Sequence, residues 1–192
     1  MKLKFTKEVF ENYNSDEFGH IKDCNIYKVF DNEILVGQFL CSSKVAYILT
    51  DTDKLRIDIK NHFFKTSKYE IIDLAIDTKI GFYDLPIWRI SWKEIGNLTL
   101  NEQTYRCNRQ RAETKYNIFK KATWGHYKIS LTNQLTEINY KLKVDTNLIS
   151  PADSEFRKAE GEITSNHTNN TLVLAGLFLI ERMLYNVDMA AT

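Results

Sequence analysis

The chain has 192 residues, with 26 Lys and Arg against 25 Asp and Glu, and its formal net charge is +1. Hydrophobic residues make up 43% and aromatic residues 12%, with only 7 Gly and 2 Pro, so the chain is neither disordered nor collagen-like. Since nucleic-acid binders usually carry a large basic excess, the balanced charge argues against a nucleic-acid partner, and the length suits a single domain over residues 1–192.

The N-terminal segment and the cysteines indicate the compartment. Met1–Glu8 carries charge but no apolar run follows it, so the sequence predicts no secretory signal and a cytoplasmic protein. Cys24, Cys41 and Cys107 are widely spaced and form no CxxC pair. This spacing favours buried free thiols over a disulfide framework or a zinc site.

Apolar and polar residues alternate with a period of two in many segments, which predicts strands with one buried and one solvated face. The clearest segments are Leu55–Lys60, Trp88–Lys93, Tyr127–Leu131 and Ile138–Asp145. Weaker candidates are Tyr27–Phe30, Ile34–Phe39, Val45–Leu49, Tyr69–Ile72, Thr104–Cys107 and Tyr116–Lys120. Short polar breaks separate the segments; one of them, Asp51–Asp53, lacks the Gly and distal Glu of a calcium loop and is interpreted as a hairpin turn. The pattern predicts a mainly β protein, an antiparallel barrel of about 10–12 strands.

A helix is predicted near the C-terminus. Thr171 is placed to cap it, with Asn169 or Asn170 as alternatives, and the apolar run Leu172–Ile180 follows. Laid on a helix, these residues leave no polar side, so the helix must be buried all round.

The length of this helix decides what buries it. Leu172–Val187 spans about 24 Å and is interrupted by Glu181 and Arg182, whereas a bilayer core needs roughly 30 Å. We therefore predict no transmembrane segment. The sequence predicts a buried core helix over residues 170–187, with the antiparallel sheet curled around it.

Many antiparallel strands followed by one apolar C-terminal helix resemble the tubby C-terminal-like fold. Tubby-like proteins, phospholipid scramblases and the plant LURP-one-related proteins share that fold. The residues that carry the resemblance are Glu160–Ile163, as a last strand, and Thr171–Ile180, as the helix. The resemblance implies a closed barrel threaded by the helix and a binding module that is not an enzyme. It assigns no site residues, because the phosphoinositide-binding basic pair of tubby has no identifiable counterpart here.

The densest basic stretch is the candidate anion or headgroup site. It comprises Arg106, Arg109, Arg111, Lys115, Lys120 and Lys121, with Tyr105, Tyr116, Phe119 and Trp124 as aromatic neighbours. Arginine forks suit phosphate oxygens, and clustered cations create a local potential that a balanced total charge conceals. A phospholipid headgroup at a membrane periphery, another anionic ligand and an acidic protein partner all fit this stretch. The alternative is a solvated loop neutralised by neighbours such as Glu113.

Two further classes of function remain open. A lipocalin-like carrier of a small apolar ligand requires an open lumen, with the helix packed outside the barrel. An enzyme requires a cleft where His20 or His126 meets an acid, and the sequence contains no GxSxG elbow and no glycine-rich phosphate loop. His62 and His167 are equally scattered, so we expect no metal, no cofactor and no catalytic residue. The sequence does not predict an oligomeric state.

Overall fold

The computed structural model describes residues 1–59, 67–85, 94–109, 113–116, 122–145 and 159–189. The described residues form thirteen strands. These are β1 (Lys2–Ser15), β2 (Gly19–Asp31), β3 (Ile34–Cys41), β4 (Val45–Leu49), β5 (Lys54–Asp58), β6 (Ser67–Asp73), β7 (Thr78–Leu85), β8 (Glu94–Leu100), β9 (Gln103–Arg109), β10 (Glu113–Tyr116), β11 (Ala122–Thr132), β12 (Glu137–Asp145) and β13 (Ala159–Ser165). One helix, α1 (Asn170–Met189), follows the last strand.

The strands form one antiparallel sheet that closes into a barrel. Each strand from β1 to β8 pairs with the next one along the chain, and β11, β12 and β13 continue the sheet back to β1. The barrel closes where β9 pairs with β11, so twelve strands form the wall and β10 pairs with β11 beside them. The predicted fold class, an antiparallel barrel with an apolar C-terminal helix, is confirmed.

The helix lies inside the barrel. Every side chain from Thr171 to Met183 is buried. The ring of Phe178 lies 4.4 Å from Tyr83 of β7, 5.3 Å from Tyr69 of β6 and 6.3 Å from Phe39 of β3, measured between ring centroids. On the far side of the ring of strands, the Tyr140 hydroxyl of β12 donates to the carbonyl of Val173, 2.8 Å away. Contacts on both sides place the helix in the lumen.

Gly176 permits one of these close approaches. A Cβ atom at this position would lie 2.0 Å from the Tyr140 hydroxyl oxygen, so any other residue would displace the tyrosine. The phenol of Tyr83 makes a similar bond to the helix backbone, donating to the carbonyl of Ala175 at 2.8 Å. Two tyrosines of the wall thus hold the helix axis in place by polar as well as apolar contacts.

In the described residues, five connections between strands lie at the end of the barrel where the helix begins, and we call this the turn end. They are residues 32–33, 50–53, 74–77, 101–102 and 133–136. The first and fourth are two-residue hairpins with positive φ, 46° at Asn32, 74° at Glu33, 48° at Asn101 and 65° at Glu102, as type I′ turns require.

The cap of the helix differs from the first choice made from the sequence. The Asn169 side-chain oxygen accepts a hydrogen bond from the Leu172 amide at 2.9 Å, so Asn169 is the N-cap. The Thr171 hydroxyl instead donates to the Asp53 carboxylate in the connection between β4 and β5. That connection is the predicted hairpin turn, and Thr50 accepts from the Asp53 amide within it at 2.9 Å.

Three strands, β1, β7 and β8, overlap no segment predicted from the sequence. In β1, the inward positions Leu3 and Phe5 are apolar, but the next inward position is Lys7, which breaks the pattern. The predicted strand Trp88–Lys93 lies outside the described residues, as does most of Tyr116–Lys120.

Candidate functional site

A buried polar cluster lies between the helix and the first two strands. The Lys7 ammonium is 3.0 Å from a carboxylate oxygen of Glu181 on the helix. The Asn25 amide donates to the same carboxylate at 2.7 Å, and the Tyr27 hydroxyl donates to it as well. Lys7 and Glu181 are both buried, so solvent screens the attraction between their charges only weakly.

The strand register explains why these groups meet. Lys7 of β1 lies directly opposite Tyr27 of β2, and Asn25 is two residues from Tyr27, on the same face. This inward face meets the helix at Glu181, after which Arg182 stacks its guanidinium over the Tyr69 ring at 5.6 Å. The cluster was not found from the sequence, which marked Glu181 only as an interruption of an apolar run.

Burial sets the proton affinities around this cluster. Burial, and then the neighbouring negative charge of Glu181, raises the pKa of the Tyr27 phenol well above its ordinary value. Burial also raises the pKa of Cys24 to about 11, and the pKa values of Cys41 and Cys107 above their usual range. All three cysteines are free and buried, as predicted. Their thiols stay protonated near neutral pH and are poor nucleophiles.

The arrangement of the cluster indicates a structural role and not a catalytic one. The Glu181 carboxylate is satisfied by an ammonium, an amide and a hydroxyl, and none of the three residues that supply them is exposed. A substrate would have to displace the helix to reach it. We interpret the cluster as a polar lock that fixes the position of the helix inside the wall.

The tyrosines that hold the helix predict a loss of stability at high pH. Burial raises the pKa of Tyr27, Tyr83 and Tyr140 above the ordinary value of 10.0. Because the folded state holds these protons more tightly, the stability they contribute is complete below pH 10 and falls above it, by about 1.4 kcal/mol per pH unit for each phenol. In an alkaline titration, we expect phenolate absorbance at 295 nm to appear in two steps, the second coinciding with loss of the far-UV CD signal. Ionisation of every tyrosine before unfolding would contradict this.

The predicted basic stretch is divided by the fold. Arg106 is exposed on the outward face of β9. Arg109 lies three residues later, on the same face of the strand as the buried Tyr105 and Cys107. The backbone of Lys115 is in β10, opposite Trp124 of β11. The remaining predicted site residues, Arg111, Lys120 and Lys121, lie outside the described residues.

A second group of cations lies on the outward face nearby. Lys128 of β11 and Lys141 of β12 are both exposed and stand directly opposite each other in the register. The same row continues through Glu162 of β13 to Lys4 of β1. Glu162 lies 3.9 Å from Lys2, and in the described part of the chain Lys128, Lys141 and Lys4 form no salt bridge.

We call Lys4, Lys128 and Lys141 the lysine row. Its facing pair Lys128 and Lys141 is electrostatically costly, whereas Glu162 lies between Lys141 and Lys4. Side chains directly opposite on adjacent strands have Cβ atoms about 5 Å apart, and like charges at such positions repel. An anion bound between the two ammonium groups of Lys128 and Lys141 would remove that repulsion. Lys128 and Lys141 lie in two of the predicted alternating segments, but only the register brings them together.

The histidines form no catalytic arrangement in the residues described. The His20 ring nitrogen is 3.0 Å from the Asn14 amide oxygen, and His167 accepts from the Asn169 backbone at 3.1 Å. The side chain of His126 and all of His62 lie outside the description. Among the described residues, no three His, Cys, Asp or Glu side chains are grouped so that they could bind a metal.

Comparisons with known proteins add no relative to this description. No family model, no curated protein and no solved structure matches the chain. In the part of the chain that the structure describes, no helix combines the length and apolar character needed to cross a membrane. The candidate site therefore rests on its geometry alone.

Proposed function

We propose that this protein is a non-enzymatic binding module that holds anionic phospholipid headgroups at the cytoplasmic face of a membrane. The observation that carries the proposal is the opposed pair Lys128 and Lys141, which are exposed and form no salt bridge in the described residues. Arg106 of β9 lies opposite Thr132 of β11, and Thr132 is four residues from Lys128 on the same strand. Arg106 therefore extends the basic surface by about 13 Å.

The tubby C-terminal-like architecture is part of this proposal. The order of elements supports it: a closed antiparallel wall, a last strand containing Glu160–Ile163 and then the apolar helix within the lumen. The alternative of an apolar-ligand carrier depended on a helix packed outside an open lumen. Because α1 lies inside, no described feature favours that alternative.

The test is co-sedimentation with liposomes at low and physiological salt. Each Lys near an anionic surface contributes about 1 kcal/mol, so K128Q/K141Q is expected to weaken binding to vesicles containing phosphatidylserine by about 30-fold at low salt. The long side chains and the strands are retained, so the fold should be unaffected. Binding is expected to weaken further at physiological salt, because the interaction is electrostatic.

The matched control is K22Q/K44Q, which removes two exposed lysines elsewhere on the surface and changes the net charge equally. We expect it to bind like the wild type. Equal weakening by both variants would mean that only net charge matters, and absence of binding at low salt would exclude the lipid-binding function. Competition with soluble inositol phosphate distinguishes recognition of a headgroup from recognition of a membrane surface.

A further inference from the structure

The exposed large apolar side chains of the described residues all lie at one end of the barrel. Ile34 is 70% exposed, Ile76 65% and Leu135 86%, and each lies in or directly beside a different connection of the turn end. Leu35 and Met1, the other two, are at the same end. Exposed apolar residues scattered singly are ordinary, but a set confined to one face marks an interaction surface.

The three most exposed residues are evenly spaced around the rim. The connections carrying Leu135, Ile34 and Ile76 follow β11, β2 and β6, which are four strands apart each time in the twelve-strand ring. Twelve strands at about 4.8 Å spacing and a tilt of about 40° give a barrel roughly 24 Å across. With its side chains, the end has an area of about 800–900 Å², which matches what one partner contributes to a standard protein interface.

The charges at this end define what it can bind. Eight carboxylates lie in or beside its connections: Asp31, Glu33, Asp51, Asp53, Asp73, Asp77, Glu102 and Glu137. The lysines next to these connections are already engaged, Lys54 with Glu17 and Lys79 with Glu70. An anionic membrane would be repelled by such a rim, whereas Lys and Arg side chains of a protein would be attracted to it.

We infer that the turn end is a docking surface for a basic, amphipathic segment of a protein partner. In this arrangement, apolar side chains of the partner pack against Ile34, Ile76 and Leu135, and its cations face the carboxylates between them. The inference does not rest on the proposed lipid binding, because the lysine row lies on the side of the barrel and shares no residue with the turn end.

The test uses a fluorescein-labelled 18-residue helical peptide of Leu and Lys as the probe, with a Leu/Glu peptide of the same pattern as its counterpart. Fluorescence anisotropy is expected to detect binding of the Leu/Lys peptide only. I34S/I76S/L135S should weaken that binding by about tenfold or more. The three residues are exposed, so the melting temperature should be unchanged, and measuring it confirms that the variant is folded.

A charge-matched pair of variants separates docking from general attraction. E33Q/D77N/E102Q neutralises three carboxylates of the turn end, while E11Q/D58N/E160Q neutralises three carboxylates elsewhere. We expect the first variant to bind the Leu/Lys peptide at least about tenfold more weakly than the second. Equal affinities would overturn the inference.

Two other occupants would also overturn it. Association of the wild type with itself in sedimentation velocity, abolished by I34S/I76S/L135S, would show that a second copy covers the end. Loss of vesicle binding in I34S/I76S/L135S, with K128Q/K141Q behaving as the wild type, would assign the end to membranes. Loss of vesicle binding in K128Q/K141Q alone supports the lipid proposal. In that case, the peptide measurements alone decide whether the docking inference holds.

Discussion

Replacing Leu177 with Asp is expected to abolish folding. Leu177 is fully buried in the middle of the helix and belongs to the main hydrophobic core. A buried carboxylate without a partner costs several kcal/mol, while the whole unfolding free energy of a domain is about 5–15 kcal/mol. We expect the variant to have no cooperative thermal transition and to lose its near-UV CD signal.

The chain offers a control with the same chemical change. Leu135 is 86% exposed, so Leu135→Asp is expected to alter the unfolding free energy by about 0.5 kcal/mol or less. The two variants differ only in where the charge is placed. A Leu177→Asp protein that melts like Leu135→Asp would refute the buried position of the helix.

Removing one member of the polar lock is expected to cost nearly as much. Lys7→Met leaves the Glu181 carboxylate buried without a cation, and Glu181→Gln leaves the Lys7 ammonium in the same position. Each change is expected to lower the unfolding free energy by about 3–5 kcal/mol, because an uncompensated buried charge remains. Urea denaturation of both variants measures these losses.

The double variant distinguishes a coupled pair from two independent contacts. In K7M/E181Q neither charge remains, and the amide introduced at position 181 still offers an oxygen to the Asn25 amide and the Tyr27 hydroxyl. We expect the double variant to be more stable than either single variant, with a coupling energy of about 2 kcal/mol or more. Additive losses would mean that the two charges are not energetically coupled.

Local patterns predicted most of the wall and the helix. Alternation in Ile138–Asp145 and Tyr127–Leu131 corresponds to β12 and β11, because one face of each strand meets the core and the other meets solvent. The all-apolar run from Leu172 likewise required burial on every side, which only a lumen or a lipid bilayer provides. The helix continues to Met189, two residues beyond the predicted end.

The polar lock could not be predicted from the sequence, because its two charges are far apart along the chain. Lys7 breaks the apolar alternation of β1, so the first strand lacked the pattern on which strand prediction depends. Its inward position is favourable only because Glu181 is there to neutralise it. The sequence around either residue does not indicate that the two side chains meet.

The candidate anion site combines one residue of the predicted basic stretch with lysines from other strands. Arg106 of that stretch is exposed, but residues that are neighbours in sequence alternate between the faces of a strand. Arg109 therefore falls on the inward-facing side. Lys128 and Lys141, which are separated by a whole hairpin, come together because strand register, and not sequence distance, decides which side chains meet.

The pairing of β1 with β13 has a consequence for biosynthesis. β1 is translated before the other strands, but one of its two pairing partners, β13 (residues 159–165), is translated last of the strands. The helix that fills the lumen is translated after β13. Until then, the nascent sheet has two open edges and an uncovered apolar face, which are features that promote aggregation. We therefore expect the barrel to close only after translation of α1, with the newly made chain depending on chaperones until that point.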